Sequence, residues 1–168
     1  MPGFVNWVSG QILNASDLMR LPQQDIVLKA ADQNIASNVS PVDDTHLFMS
    51  VAANTKYWVE GFIIYTGPTA ADIQFTWSFP AGCTFRWTND AIFEPPGVAG
   101  DIDRRCYTGS DLVLASTITG FDLVALPRGV LQVAGTAGTL RFRWCQWASN
   151  ATACVVKTNS MLRLTKVS

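Results

Sequence analysis

Between Leu140 and Val167 side-chain character alternates with a period of two. Leu140, Phe142 and Trp144 fall on one face, Arg141 and Arg143 on the other. Leu162 and Leu164 are interleaved with Arg163, and Lys166-Val167 breaks the strict alternation at the end. Successive side chains of a strand point to opposite faces, so this spacing predicts half-buried strands and argues against helix. Ser149, Asn150 and Thr152 sit between the alternating runs. Short polar side chains of this kind satisfy nearby backbone groups in turns. The segment therefore reads as a strand, a hairpin and a last strand sewn into a sheet.

The same period recurs along the chain, and no segment sustains a period of 3.6. Strands are expected at Asp25–Ala30, more weakly at Asn34–Ser37, and at Thr45–Val51 after a polar loop containing Pro41. Ala71–Phe79 alternates most cleanly, with Ile73, Phe75, Trp77 and Phe79 opposite Asp72, Gln74, Thr76 and Ser78. Cys83–Trp87, Arg104–Tyr107 and Leu112–Ile118 are shorter strands, and Phe121–Val133 is a longer one bent near Pro127 and Gly129. Residues 88–103, with Pro95, Pro96, Gly97 and Gly100, form the longest expected loop. Many short, regularly punctuated strands predict an all-β, jelly-roll-like antiparallel sandwich.

Asn54–Tyr65 departs from simple amphipathicity. Tyr57, Val59, Gly61, Ile63 and Tyr65 share one face, while Trp58, Glu60, Phe62 and Ile64 share the other. A strand that is apolar on both faces needs cover on both, and a neighbouring subunit commonly supplies the second. Composition agrees: 48% of residues are apolar and only 15% charged. A monomer seldom leaves that much apolar surface wet. With a net charge of -1, no general attraction to nucleic acid or to an anionic membrane is expected.

Residues 1–40 read as an arm and 41–168 as the sandwich domain. Pro22 limits any helical turn begun at Asn14 or Ser16, and so short a piece is unstable alone. Trp7, Ile12, Leu13, Leu18 and Leu21 therefore need a surface: the domain itself, a sister subunit or another protein. No basic region precedes an apolar run after Met1, so no secretion signal is expected, and the Asn14, Asn38 and Asn150 sequons are read as chance matches. No apolar run is long enough to cross a bilayer.

The residues offer little chemistry. Cys83, Cys106, Cys145 and Cys154 form no C-x-x-C pair and His46 is the single histidine, so no zinc site is expected. Cys145 and Cys154 either bridge the proposed hairpin or, like the other two, serve as small buried apolar groups. His46 lies beside Asp43 and Asp44, but no nucleophile elbow accompanies it. Asp90, Glu94, Asp101 and Asp103 gather in the long loop. Calcium is one reading; pairing of Asp101 and Asp103 with Arg104 or Arg105 is preferred. Six tryptophans invite sugar stacking, with Trp87, Trp144 and Trp147 as candidates and Arg86 or Asp90 as polar partners, although cores and interfaces use the same residues. No catalytic residue, cofactor or metal ligand is assigned, and no enzymatic activity is expected.

Trp7, Gly10, Leu13, Ala15, Asp17 and Leu18 resemble the W-x-x-G-x-x-L-x-A-x-x-L-N opening of small virion proteins of tailed phages, with Met19 in place of the final Asn. Residues 51–61, 138–144 and 160–164 resemble the jelly-roll domains that follow such openings and, more loosely, trimeric TNF/C1q-like jelly rolls. The resemblance implies a structural virion protein, either a capsid decoration or head-fibre protein or a minor tail or tail-fibre protein. It implies a homotrimer whose arm, through Trp7, Ile12, Leu13, Leu18 and Leu21, binds the major capsid protein or another virion component. Tyr57, Trp58, Phe62, Ile64, Trp144 and Trp147 would then line the trimer interface. Assembly would take place in the host cytoplasm, without nucleic-acid or membrane partners. Should the protein bind a host-surface glycan, Trp87 and Trp147 are the residues expected to stack on it.

Overall fold

The computed structural model describes residues 9, 10, 12, 24–93 and 100–167. In chain order the strands are β1 (Gln24–Leu28), β2 (Gln33–Ile35), β3 (Val42–Val51), β4 (Lys56–Thr66) and β5 (Ile73–Ser78). They continue as β6 (Thr84–Thr88), β7 (Ala91–Phe93), β8 (Asp101–Asp103), β9 (Tyr107–Thr108) and β10 (Val113–Ala115). The last are β11 (Leu123–Ala125), β12 (Arg128–Gln132), β13 (Gly138–Gln146), β14 (Cys154–Val156) and β15 (Met161–Lys166). Among the described residues there is no helix. All pairings are antiparallel, in a nine-stranded sheet ordered β1-β15-β4-β12-β6-β9, a four-stranded sheet ordered β10-β5-β13-β3, and the small pair β7-β8. The expected jelly-roll-like β-sandwich is what forms.

β4 is the spine of the large sheet. On one side it pairs with β15 and then β14; on the other it pairs with β12 and then β11. The break between β11 and β12 falls at Leu126-Pro127, where proline has no N–H to give the ladder. Pro127 instead accepts a hydrogen bond from the Gly61 N–H at 2.7 Å. The single bent strand expected over 121–133 is thus two strands on one neighbour.

The inward face of β4 carries Tyr57, Val59, Ile63 and Tyr65, all buried against Phe75, Trp77, Phe142 and Leu140 of the small sheet. Aromatic rings meet edge to face there, with Trp77 and Phe142 centroids 5.2 Å apart and Tyr65 and Phe75 5.3 Å apart. That is the preferred geometry of ring quadrupoles. Gly129 lets β12 lie against β6, since a Cβ there would stand 2.3 Å from the Arg86 carbonyl oxygen.

Four expectations need correction. Residues 24–35 are not arm: β1 pairs with β15 and β2 with β14, so the sandwich begins near Gln24 and not at residue 41. Residues 140–157 are not a hairpin: β13 lies in the small sheet and β14 in the large one, so 147–153 is an arch between sheets. Residues 88–103 are not simply a loop, since β7 and β8 pair within them; Cys145 and Cys154, by contrast, are free and buried, the second of the two readings given for them. Finally, Ala71–Phe79 is not half exposed. Gln74 and Thr76 of its polar face are buried too, and the Thr76 hydroxyl is satisfied by donating to the Ser110 carbonyl at 2.8 Å.

Candidate interaction surface

Strand register fixes which side chains share the outer face of the large sheet. Leu28, Met161 and Phe62 form one row across β1, β15 and β4. Ile26, Arg163, Glu60 and Arg128 form the next, and Thr165, Trp58, Val130 and Arg86 a third. Ile64 lies opposite Val124. The face is therefore two apolar bands with a charged stripe between them. Ile26 is 57% exposed, Leu28 60%, Phe62 39% and Val130 43%. Trp58, Ile64 and Met161 are partly covered.

The stripe alternates in sign. Arg163 holds Glu60 through Nε at 2.8 Å and again through Nη2. Arg128 and Arg104 both reach the buried Asp90. Nearby, Arg105 grips Asp103 through Nε and Nη2 at 3.0 Å each, and the Tyr107 hydroxyl donates to the same carboxylate. Burial by itself would raise the Asp103 carboxyl. The hydrogen bonds from Arg105 and Tyr107 and the Arg105 charge outweigh it and hold the group below its ordinary value. Burial and the bond to Asp103 push the Tyr107 hydroxyl up. These are structural ion pairs at the margin of the sheet. They are also where Asp90 and Asp103 go: Asp103 pairs with Arg105 as expected, whereas Asp101 accepts from the Ile102 N–H. Glu94 lies outside the described residues. No group of three or more metal-ligating side chains occurs among the described residues.

The residues singled out from sequence separate sharply. Trp58, Phe62 and Ile64 share the outer face. Tyr57 and Trp144 do not, since both are buried in the chain's own core. Trp144 donates its Nε1 to Asp44 at 3.3 Å. Trp87 is also a core residue, stacked on Phe85 and donating Nε1 to the Gly109 carbonyl, so no sugar reaches its ring. Both corrections share one cause: period two marks two faces without saying which is inside. Trp147 stands exposed on the 147–153 arch, away from the outer face. Ile12 is exposed, while Trp7, Leu13, Leu18 and Leu21 lie outside the described residues. Sequence reading missed Ile26, Leu28, Met161, Val124 and Val130. The alternation Gln24, Ile26, Leu28 was visible, but that segment was assigned to the arm.

His46 sits on β3, its Nδ1 2.9 Å from the Thr45 hydroxyl. Burial pushes the Cys145 and Cys154 thiols up to about 11, so both stay protonated at neutral pH. A protonated, buried thiol is a poor nucleophile.

No family profile matches the chain, and no curated protein does. Among solved structures, the chain is similar to part of the infectious bursal disease virus Gt strain structure, at 12% identity and a TM-score of 0.32, over 87% of this chain and 41% of that one. It is similar to the infectious bursal disease virus VP2 subviral particle at 8% identity and a TM-score of 0.26, over 88% of this chain and 41% of that one. The Gx strain structure gives 10% identity, a TM-score of 0.24, and 86% and 36% coverage. The chain thus spans about two fifths of the length of the viral particle proteins it faintly resembles.

Proposed function

We propose that this chain is a non-enzymatic structural protein of a virion: a homotrimer that decorates and stabilises the capsid surface of a tailed bacteriophage. Residues before Gln24 attach it to the major capsid protein or another virion protein, and assembly takes place in the host cytoplasm. The observation that carries this reading is the outer face of the large sheet, where Ile26, Leu28, Phe62, Val124 and Val130 remain exposed in adjoining rows. Apolar area taken from water contributes about 25 cal/mol per Å². In a closed ring of three, each copy offers this face to a different patch of its neighbour.

Sedimentation of the whole chain tests the assembly. The wild type should run as a trimer and Phe62→Glu as a folded monomer with unchanged circular dichroism. A wild type that sediments as one subunit would sink the trimer. Particle incorporation tests the attachment: protein starting at Gln24 should stay assembled but no longer join particles. A second reading, a minor tail or tail-fibre protein that binds a host receptor, is favoured by the exposed ring of Trp147.

A further inference from the structure

The edges of the two sheets meet at one buried polar contact. Lys29 directly follows β1, an edge strand of the large sheet, and Asp44 lies on β3, an edge strand of the small one. Both side chains are wholly shut off from solvent. The Lys29 Nζ stands 2.7 Å from Asp44 Oδ2 and 2.9 Å from Oδ1. A nitrogen this close to both oxygens is also in contact with the carbon between them. Holding two reacting groups together in this way replaces a chance encounter by a step within one molecule.

The two oxygens of Asp44 are not held alike. Besides Nζ, Oδ1 accepts from the His46 and Leu47 backbone N–H groups at 2.9 Å each. Two fixed N–H donors on one oxygen stabilise the negative charge that gathers there when a nucleophile adds to a carboxyl carbon. Oδ2 has the shorter approach to Nζ, and its other partner is the Trp144 Nε1 at 3.3 Å. It is placed to take a proton and leave. Gln33 is only partly buried and marks the side nearest solvent; its Oε1 accepts from Nζ at 3.3 Å and from the Thr45 N–H at 3.0 Å. Burial favours condensation. Two charges taken out of water carry a desolvation cost that an ion pair offsets only with good geometry. An amide carries no charge, and a site closed to water protects it from hydrolysis.

We propose that Lys29 and Asp44 condense to an amide, a covalent clasp between the two sheets. Nζ passes one proton to Oδ2, leaving an amine beside a carboxylic acid. The amine attacks Cγ and the C–N bond forms, while Oδ1 takes the negative charge against the His46 and Leu47 N–H groups. The Cγ–Oδ2 bond then breaks, and Oδ2 departs as water with a second proton from the nitrogen. The one N–H that remains keeps the Gln33 Oε1 as its acceptor. The net charge of the pair is zero before and after, and no oxidant, reductant or cofactor takes part. The clasp belongs to the fold of one chain and does not depend on the virion reading. Lys29→Met leaves the Asp44 carboxylate unpaired whether or not the wild type has reacted.

The test is mass spectrometry of the whole chain, held folded at neutral pH until its mass is constant and then unfolded for measurement. The expected mass is lower than that of the sequence by one water. A tryptic digest should show no cleavage after Lys29 and a branched peptide joining Lys29 to Asp44. Lys29→Arg keeps the positive charge, but a guanidinium that stays protonated is no nucleophile, so this variant should keep the full mass. Wild type kept in urea should keep it as well. Full mass in the folded wild type overturns the proposal. So does a loss of water that maps elsewhere, such as an aspartate closed on its own backbone, or that persists in Lys29→Arg or in urea. The wild-type mass and digest decide the matter even if Lys29→Arg fails to fold.

Discussion

Removing one side chain, Lys29, tests how the two sheets are locked together. Lys29 follows β1, an edge of the large sheet, and Asp44 lies on β3, an edge of the small one. The Lys29 Nζ stands 2.7 and 2.9 Å from the two Asp44 oxygens, and both side chains are wholly buried. Asp44 also accepts from the His46 and Leu47 N–H groups at 2.9 Å each and from Trp144 Nε1 at 3.3 Å. Lys29→Met keeps the length of the side chain and deletes its charge, leaving a buried carboxylate with three N–H partners and no countercharge. Breaking one side of a buried pair costs about 3–5 kcal/mol. That is a large share of the roughly 5–15 kcal/mol that holds a domain together. For a chain of this size it corresponds to a melting temperature lower by about 6–20 °C. Urea denaturation, with the midpoint and slope both measured, gives the number directly. The double variant Lys29→Met/Asp44→Asn removes both charges while keeping a side-chain oxygen for the N–H groups, so it should recover roughly half of the loss or more. A loss below about 1 kcal/mol in Lys29→Met, or no recovery in the double variant, would refute the argument that an uncompensated charge is what destabilises.

Three further outcomes follow from the packing. Gly129→Ala should destabilise by about 1–3 kcal/mol, the usual range for overpacking, because its Cβ would drive into the Arg86 carbonyl and the β6–β12 ladder would have to separate; a variant as stable as the wild type in urea would show that β12 shifts freely. Cys106, which is exposed, should react with a thiol reagent in the native protein, while Cys145 and Cys154 should react only on unfolding. Their folded values are raised to about 11 from an ordinary 9.0, so their contribution to stability is complete below pH 9 and falls as pH climbs towards 11. Urea midpoints measured from pH 8 to pH 11 follow that decline, and a flat profile in which neither thiol matters would count against it.

How far the sequence reads on its own is clearest at particular residues. Alternation located β4, β5, β13 and β15, since period two belongs to the backbone and needs no partner to be visible. It also located the two apolar faces of β4. Alternation could not tell that Tyr57 and Trp144 turn inward while Phe62 and Trp58 turn out, because apolar side chains stand on both sides. Nor could it separate the core ring of Trp87 from the exposed ring of Trp147. Glycine and proline marked a bend near Pro127 but could not show that the chain breaks there into two strands, β11 and β12, on one neighbour. The Lys29–Asp44 pair left no signal, since a lysine and an aspartate 15 residues apart look like any solvated charges until burial is known.

The sequence by itself determined that the domain is an all-β sandwich, where its long strands β4, β5, β13 and β15 fall, and that β4 is apolar on both faces, but it did not place β7 and β8, which lie within the expected loop 88–103. These follow from side-chain period and composition, which act within a few residues. Tertiary structure alone decided that 147–153 is an arch and not a hairpin, and that β1 and β2 belong to the sheet. Those outcomes depend on which strand pairs with which across 100 or more residues, as in Arg143 with Asp43, and pairing over such distances is settled only when the whole sandwich closes.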